Sequence, residues 1–208
     1  MKIFGVGMNY LLHTQELDGH QYRPEEPVIF LKADSALLKN GKPFFVPDWS
    51  ERIDYEAELV VRICRLGKSI PVRFAHRYYD AVTVGVDFTA RDMQQRARRE
   101  GLPWTICKGF DGSAVIGRWI EKGEGSLVSG EGRLAFHLDL NGKTVQQGCP
   151  EEMLFSIDEL ISYISRFFTL RTGDLLFTGT PVGVGPVSIG DHLEGYLGDE
   201  RVLDFYCR

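Results

Sequence analysis

The sequence predicts a mainly β fold with α additions, of the α+β class, organised as a single domain over residues 1–208. Short apolar runs that are typical of strands outnumber the amphipathic segments that are typical of helices. Glycine and proline interrupt the chain at short intervals, as they do in β-rich folds. A length of 208 residues suits one domain with a sizeable core, because single β-rich domains of this size are common.

Six segments have the length and composition of β-strands. They cover residues 28–32, 59–63, 83–88, 134–140, 175–177 and 201–206. Asn141-Gly142 directly follows the fourth segment and predicts a tight hairpin turn, because such turns need positive φ angles that asparagine and glycine adopt readily.

Two segments predict helices. The clearer one begins at Ser156, where Ser156-x-x-Glu159 is a capping-box pattern, and it ends before Thr172-Gly173. Apolar residues recur behind this cap at helical spacing, at positions 160, 161, 164, 167 and 168. A second, polar helix is predicted over residues 90–100, with Gly101 as its stop signal.

Composition and charge exclude several classes of function. Hydrophobic residues make up 43% of the chain and charged residues 25%, as in an ordinary soluble globular domain. A net charge of −5 gives no basic surface for nucleic acid or for an anionic membrane. We therefore expect neither partner, and an acidic substrate would need a local basic pocket or a metal ion.

The cysteines and the N-terminal sequence predict a cytoplasmic location. None of the four cysteines forms a C-x-x-C pair or has a nearby histidine, which excludes a zinc knuckle and a redox motif and fits a reducing compartment. The first apolar run is too short for a signal peptide, and no stretch approaches the roughly 20 apolar residues of a membrane span.

Two glutamates, Glu56 and Glu58, interrupt a stretch over residues 54–61 that otherwise has the character of a buried strand. Residues two apart on a strand share one face, so these carboxylates repel unless a cation lies between them. A divalent ion is the usual solution, because unpaired buried carboxylates take up protons at a cost of several kcal/mol. The alternative is an exposed edge of a half-buried strand, where such alternation is routine.

Mg²⁺ prefers oxygen ligands, and two glutamates need a third anionic ligand. Asp87 is the best candidate, because it ends another predicted strand immediately before a helix. The alternative for Asp87 is a carboxylate that stabilises the N-terminus of that helix.

Lys108 is a lone cation in an apolar, strand-like segment. It could steady negative charge that develops on a substrate beside the metal, or its ammonium could extend to solvent at a strand end. Arg91 and Gln94 lie three residues apart at the start of the polar helix, so they share a face and could grip a carboxylate. Most helical arginine and glutamine residues are instead solvated.

His13 and Glu16 would be neighbours on a helical turn near the N-terminus. Such a pair can take a proton from water, although a surface ion pair is the commoner use. The polar segment that follows ends at a proline, and we expect residues 11–26 to include a mobile lid.

Two glycine-containing motifs resemble nucleotide-binding fingerprints but lack the third glycine. Gly5-Val6-Gly7 has Tyr10 at that position and Gly183-Val184-Gly185 has Ser188, so we exclude a dinucleotide site. Thr178-Gly179-Thr180-Pro181 follows a short apolar strand and predicts a turn. Its amides and hydroxyls could also hold a substrate carboxylate.

Taken in order, six motifs resemble the fumarylacetoacetate hydrolase family over nearly the whole chain. They are Asn9-Tyr10-x-x-His13-x-x-Glu16, Phe30-Leu31-Lys32, Tyr55-Glu56-Ala57-Glu58-Leu59, Asp87-Phe88-Thr89-Ala90-Arg91-Asp92-x-Gln94, Lys108-x-Phe110 and Thr178-Gly179-Thr180-Pro181-x-Gly183-Val184-Gly185-Pro186. The short single-domain form is most similar to the acylpyruvase and oxaloacetate decarboxylase branch of that family.

The resemblance implies a mixed β-sandwich roll, a homodimer, and Mg²⁺ or Mn²⁺ held by Glu56, Glu58 and Asp87. It also implies roles for six other residues. It assigns His13 and Glu16 to the activation of water on a lid, and Lys108, Arg91, Gln94 and Thr180 to the oxo-acid end of the substrate.

Two positions depart from the family pattern. Met8 stands where many members have a basic residue, and Ala33 replaces a proline that is common after Phe-Leu-Lys. The first departure puts a charged distal end of the substrate in doubt, because a thioether cannot pair with an anion.

The resemblance implies a small 2-oxo acid substrate and hydrolysis of a carbon–carbon bond in acylpyruvate-like 2,4-dioxo acids. Decarboxylation of oxaloacetate passes through the same enolate and is a further expected activity. The alternatives are an isomerase of 2-hydroxy-dienoates from aromatic-acid breakdown and a non-catalytic metal-stabilised binding protein. The His13–Glu16 pair disfavours the isomerase, and the cation and lid disfavour a purely structural metal site.

Overall fold

The computed structural model describes residues 1–12, 23–39, 41–122 and 134–208. Within these ranges the chain forms three β-sheets, four α-helices and two 3₁₀ turns. None of the described helices is long and apolar enough to cross a membrane.

The largest sheet has eight strands and is mixed. Its strands are β1 (Ile3–Gly7), β2 (Val28–Lys32), β3 (Leu37–Lys39), β5 (Ala57–Ile63), β6 (Tyr79–Asp87), β8 (Ala114–Ile116), β9 (Ile120–Glu121) and β12 (Leu175–Phe177). They lie in the order β2-β1-β12-β5-β6-β8-β3, and β9 pairs with β6 beyond the end of β8. The pairs β1–β12 and β3–β8 are parallel, whereas the other pairs in this sheet are antiparallel.

Two smaller antiparallel sheets complete the β structure. The four-stranded sheet has the order β11-β10-β14-β15, with β10 at Phe136–Leu140, β11 at Lys143–Gly148, β14 at His192–Leu197 and β15 at Glu200–Tyr206. The three-stranded sheet has the order β13-β4-β7, with β4 at Ile53–Tyr55, β7 at Thr89–Ala90 and β13 at Gly185–Pro186.

The helices are few and short, as the sequence predicts. They are α1 (Val72–Ala75), α2 (Arg91–Glu100), α3 (Thr105–Lys108) and α4 (Ile157–Phe167), and the 3₁₀ turns cover Asp34–Ala36 and Pro150–Glu152. Helix α2 ends where predicted, because Gly101 adopts a left-handed conformation with φ of 69°.

The N-terminal cap predicted for α4 is present. The amide of Glu159 donates to Ser156 Oγ, and the Glu159 carboxylate accepts from the amide of Ser156 at 2.8 Å. Behind the cap, Leu160, Ile161 and Ile164 are fully buried. Local sequence therefore determines where this helix begins, and its apolar stripe determines which side faces the core.

Strand β5 has apolar residues on both faces of the large sheet. Leu59 and Val61 belong to the main core beneath the four-stranded sheet, whereas Val60 belongs to a second cluster on the opposite face, with Phe177. A strand covered on both sides is a continuous apolar run. This burial explains why a carboxylate at the end of β5 has no access to bulk water.

The structure confirms the six predicted strands with small changes at their ends, and the predicted hairpin turn has positive φ at Asn141 and Gly142. Two local expectations are wrong. The segment around Lys108 forms helix α3 rather than a strand. The predicted continuous strand over residues 54–61 is instead two strands, because Glu56 lies between the end of β4 at Tyr55 and the start of β5 at Ala57.

We predict that Ser156→Ala lowers the free energy of unfolding by about 1 kcal/mol, because the first turn of α4 loses an acceptor for its free amides. Urea denaturation monitored by circular dichroism measures the change. Ser188→Ala is a matched control, because this serine is exposed and bonds to Asp191 through its backbone amide and carbonyl, which the substitution keeps. Equal stability of both variants would contradict a stabilising cap.

Candidate metal centre

Three carboxylates predicted from the sequence meet in the folded chain. Each of Glu56, Glu58 and Asp87 offers an oxygen, and these oxygens all lie within 4.8 Å of one another. The three residues are at most 4% exposed. The exposed-edge alternative for the two glutamates is therefore excluded.

The pairing of two central strands brings these residues together. Strands β5 and β6 are antiparallel, with Ala57 opposite Val86 and Glu58 opposite Gly85. One residue beyond this ladder, the amide of Asp87 donates to the carbonyl of Glu56 at 2.8 Å. The Asp87 carboxylate is thus held at the same end of the sheet as both glutamates.

The environment of Glu58 is unfavourable for a charged carboxylate. The amide of Gly179 donates to Glu58 Oε2 at 2.7 Å, from the turn that follows β12. Burial, reinforced by the neighbouring Asp87 and Glu56 carboxylates, raises the pKa of Glu58 well above its ordinary value of 4.5. Without a further cation, this glutamate therefore favours its protonated form.

Lys108, which the sequence predicted for this site, contacts two of the three carboxylates. Its ammonium lies 2.6 Å from Glu56 Oε2 and 2.8 Å from Asp87 Oδ2. Burial opposes its charge, but the carboxylates of Asp87 and Glu56 outweigh burial and raise its pKa. Lys108 is therefore a fixed positive charge in this site, and the alternative of a lysine that extends to solvent is excluded by its burial.

Lys32 is a second buried cation, to which the sequence analysis assigned no role. Its ammonium lies 2.6 Å from Asp87 Oδ1 and donates to Ser113 Oγ at 3.0 Å and to the carbonyl of Lys108. Burial and the nearby Lys108 lower the pKa of Lys32, although Asp87 opposes the shift. A lysine at the end of the apolar strand β2 was the signal that could have identified it.

Arg91 forms an ion pair with Glu56 and so helps to fix the position of its carboxylate. Its guanidinium lies 2.6 Å from Glu56 Oε1 and 2.8 Å from Asp54 Oδ2, and it donates to Gln94 Oε1 at 2.5 Å. Arg91 and Gln94 do share a face and are buried rather than solvated. In this structure they position Glu56, while their contact with a substrate stays a prediction. Asp54 was not predicted, because its role depends on the fold.

Thr180 lies beside the glutamates but its hydroxyl is engaged. It donates to the carbonyl of Ala57 at 2.8 Å and accepts from the Gln146 amide at 2.9 Å. The Gln146 side chain also accepts from the amide of Ala57 at 2.8 Å. These bonds fix the backbone between Glu56 and Glu58, a role for Gln146 that sequence reasoning missed. A substrate contact at Thr180 stays a prediction.

His13 and Glu16, and most of the lid predicted over residues 11–26, lie outside the described residues. Their roles therefore stay predictions.

A second group of possible metal ligands lies on the four-stranded sheet. It comprises His192, Glu194 and Asp204, which are partly exposed. The Arg201 guanidinium lies 2.5 Å from the Glu194 carboxylate and 3.2 Å from the Asp204 carboxylate, so it already forms ion pairs with both. This group is an ordinary surface ion-pair network.

The buried centre, in contrast, fits a divalent cation. Its ionisable groups comprise four carboxylates and three side-chain cations. They are Asp54, Glu56, Glu58 and Asp87, with Lys32, Arg91 and Lys108. Arg52, whose side chain is half exposed, also pairs with Asp54 at 2.7 Å, so the side-chain cations match the four carboxylates in number. Asp87 Oδ1, although near the Lys32 ammonium, accepts no hydrogen bond of acceptable geometry. Oxygen donors of this kind suit Mg²⁺ or Mn²⁺.

The chain belongs to the fumarylacetoacetate hydrolase family. The family model for the C-terminal domain of fumarylacetoacetate hydrolase matches residues 2–204. A mitochondrial oxaloacetate tautomerase of Arabidopsis thaliana is 40% identical over 192 residues, which cover 92% of this chain and 84% of that protein.

Solved structures of the family share the fold. A fumarylpyruvate hydrolase from Pseudomonas aeruginosa, in complex with Mn²⁺ and pyruvate, is 35% identical with a TM-score of 0.89, and the match covers 100% of this chain and 89% of that one. A 2-hydroxyhepta-2,4-diene-1,7-dioate isomerase from Mycobacterium marinum is 29% identical with a TM-score of 0.80, over 99% of this chain and 73% of that one. These similarities confirm the mixed β fold expected from the sequence.

We predict that Glu58→Gln weakens Mn²⁺ binding and changes how stability depends on pH. In the metal-free wild type, the folded state holds a proton on Glu58 that the unfolded chain releases above pH 4.5. The stability of the wild type therefore falls as the pH rises from that value towards the raised pKa. Glutamine cannot ionise, so the variant lacks this contribution to the slope.

Calorimetric Mn²⁺ titration and urea denaturation in a chelator, at about pH 5 and about pH 8, measure the two effects. Glu100→Gln is the control, because Glu100 is exposed at the end of α2. Unaltered Mn²⁺ affinity in Glu58→Gln would show that the ligand set is wrong.

Proposed function

We propose that this protein is a divalent-metal-dependent hydrolase that cleaves a carbon–carbon bond in acylpyruvate-like 2,4-dioxo acids. The observation that carries the proposal is the buried carboxylate triad with the Lys108 ammonium at 2.6 Å and 2.8 Å from two of its members. The fumarylpyruvate hydrolase of the same fold, solved with Mn²⁺ and pyruvate, supports it. Pyruvate is the 2-oxo acid that acylpyruvate hydrolysis releases.

Glu56, Glu58 and Asp87 would hold Mg²⁺ or Mn²⁺. When bound, the ion supplies a Lewis acid that polarises the carbonyl of a chelating 2-oxo acid. The dication would also add positive charge to a centre whose side-chain cations otherwise match its carboxylates in number. The loaded centre therefore attracts an anionic substrate, although the net charge of the chain is −5.

Lys108 would steady the negative charge that develops on the oxygen of the departing enolate. Its ammonium is buried and its pKa is raised, so it stays charged and needs no reorganisation during the reaction. Arg91 would act through Glu56, which it holds in place with a bond of 2.6 Å.

Glu16 with His13 would supply the attacking water. In the proposed step, the pair takes a proton from water and the oxygen adds to the 4-carbonyl carbon. The bond between C3 and C4 then breaks, leaving a carboxylic acid and the enolate of pyruvate. The enolate finally takes up a proton at C3, so hydrolysis consumes one water and leaves the pair unchanged.

A second candidate activity is tautomerisation of oxaloacetate, which the 40% identity to an oxaloacetate tautomerase favours. Keto–enol interconversion passes through the enolate of oxaloacetate, which carries the same 2-oxo acid end as the enolate of pyruvate, and it needs no attacking water. Decarboxylation of oxaloacetate releases CO2 and the enolate of pyruvate, and it also needs no attacking water. Isomerisation of 2-hydroxy-dienoates is a third candidate activity, because the isomerase from Mycobacterium marinum is 29% identical to this chain. The homodimer and the cytoplasmic location stay predictions.

We expect the purified protein with Mg²⁺ or Mn²⁺ to consume acetylpyruvate and to release one pyruvate per acetylpyruvate lost. Excess chelator should abolish turnover, because Lys108 alone cannot polarise the substrate as a Lewis acid does. A coupled lactate dehydrogenase assay measures the pyruvate. Oxaloacetate tautomerisation without acetylpyruvate cleavage would overturn hydrolysis and support the second candidate.

We predict that Glu16→Gln lowers acetylpyruvate hydrolysis by about 10²–10⁴-fold, because the water loses its base. Calorimetry should show unchanged Mn²⁺ affinity, since Glu16 is not a proposed ligand. Glu100→Gln again serves as the control for a neutralised glutamate. Full hydrolysis in Glu16→Gln would remove this residue from the mechanism.

A further inference from the structure

Strand β1 makes room for two aromatic rings beside the metal centre. Gly5 pairs with Phe30 of β2, and ring atoms of Phe30 lie 2.2–2.8 Å from the point where a Cβ on Gly5 would stand. The nearest ring atom of Trp104 lies 3.1 Å from the corresponding point on Gly7. No side chain fits at Gly5, because the Phe30 ring occupies that space. The Gly5-Val6-Gly7 motif therefore has a packing role rather than a nucleotide-binding role.

The two rings form one apolar surface. Phe30 and Trp104 pack edge to face, with centroids 5.8 Å apart and an angle of 60° between their planes. Both side chains are only partly buried, so part of this surface is accessible. We call these two residues the aromatic pair.

The aromatic pair lies next to the proposed reaction centre. The ammonium of Lys108 is 5.3 Å from the centroid of the Phe30 ring, and the same ammonium contacts Glu56 and Asp87. Trp104 is one helical turn before Lys108, whose amide donates to the Trp104 carbonyl at 2.9 Å. A substrate at the metal centre would therefore lie near the Phe30 ring, against which Trp104 packs.

The cations of the metal centre are already paired with carboxylates. Lys32 pairs with Asp87, Lys108 pairs with Glu56 and Asp87, and Arg91 pairs with Asp54 and Glu56. A second substrate carboxylate placed on the aromatic pair would lose water without gaining a dedicated partner from these three cations. An uncharged group would instead gain by covering apolar surface.

We propose that Phe30 and Trp104 form the subsite for the acyl group of the substrate and select an uncharged, apolar acyl group over one that carries a carboxylate. This inference rests on the proposed function, because it assigns the far end of the same 2,4-dioxo acid. It names the substrate class as alkanoyl- and aroylpyruvates and disfavours fumarylpyruvate.

The test compares kcat/KM for benzoylpyruvate, acetylpyruvate and fumarylpyruvate with Mn²⁺. The wild type should prefer benzoylpyruvate and acetylpyruvate to fumarylpyruvate. Trp104→Ala should lower kcat/KM about 10-fold to 100-fold for benzoylpyruvate and less than about 3-fold for acetylpyruvate, because the loss scales with the apolar contact removed. Trp104→Phe should restore most of the benzoylpyruvate activity. Trp49→Ala is the control, since Trp49 is a half-exposed tryptophan that packs on Phe110 instead.

Calorimetry with oxalate separates the subsite from the metal centre, because oxalate chelates the ion but has no acyl group. Trp104→Ala should bind oxalate like the wild type in the presence of Mn²⁺, while its affinity for benzoylpyruvate falls. Equal losses for all three substrates together with weakened oxalate binding would show that Trp104 supports Lys108 and is no acyl subsite. A wild-type preference for fumarylpyruvate would also overturn the inference.

If the wild type cleaves none of the three substrates, the proposed hydrolysis fails, and the binding comparison still decides the subsite. Phe30→Leu, which keeps an apolar side chain but removes the ring, provides a second variant if Trp104→Ala does not fold. It should likewise weaken benzoylpyruvate binding and spare oxalate. Unchanged benzoylpyruvate affinity in a folded variant would reject the aromatic pair.

Discussion

The structure depends on the burial of several like charges at one end of a sheet that is otherwise apolar. Three carboxylates within 4.8 Å of one another would repel strongly in a region that excludes water. Lys32, Lys108 and Arg91 offset most of this repulsion, and each forms ion pairs shorter than 3 Å. Such a network contributes little net stability, because each ion also loses its hydration. Its position in the interior is therefore better explained by function than by folding.

The surrounding fold keeps this costly arrangement in place. Strands β5 and β6 are buried on both faces and end together at the carboxylates. Hydrogen bonds from Gly179, Gln146 and Thr180 then hold the chain between the two glutamates. The apolar core supplies the free energy, and the bonds from the neighbouring loops supply the orientation. A centre whose charged groups are already oriented by such bonds favours electrostatic catalysis.

A rigid centre that stabilises an enolate can serve several reactions. Relatives of this chain are named as a tautomerase, a hydrolase and an isomerase, and they share most of its length. What distinguishes the reactions is a base for water and the shape of the far end of the pocket. In our proposals, the His13–Glu16 pair supplies that base, and Phe30 and Trp104 shape the far end of the site. These proposals assign chemistry and specificity to separate parts of one site.

The sequence by itself determined the features that depend on neighbours along the chain. The cap at Ser156, the turn at Asn141-Gly142 and the end of α2 at Gly101 each follow from local backbone preferences. The unusual spacing of Glu56 and Glu58, with Asp87 at another strand end, was enough to indicate a metal site. Only the tertiary structure decided the register that places Asp87 beside Glu56, and the packing that brings Lys32, Asp54 and Gln146 to them. Among these residues, Lys32 and Gln146 are 114 positions apart in the sequence. Residues so far apart are brought to one site by the burial of whole strands, which no local sequence pattern predicts.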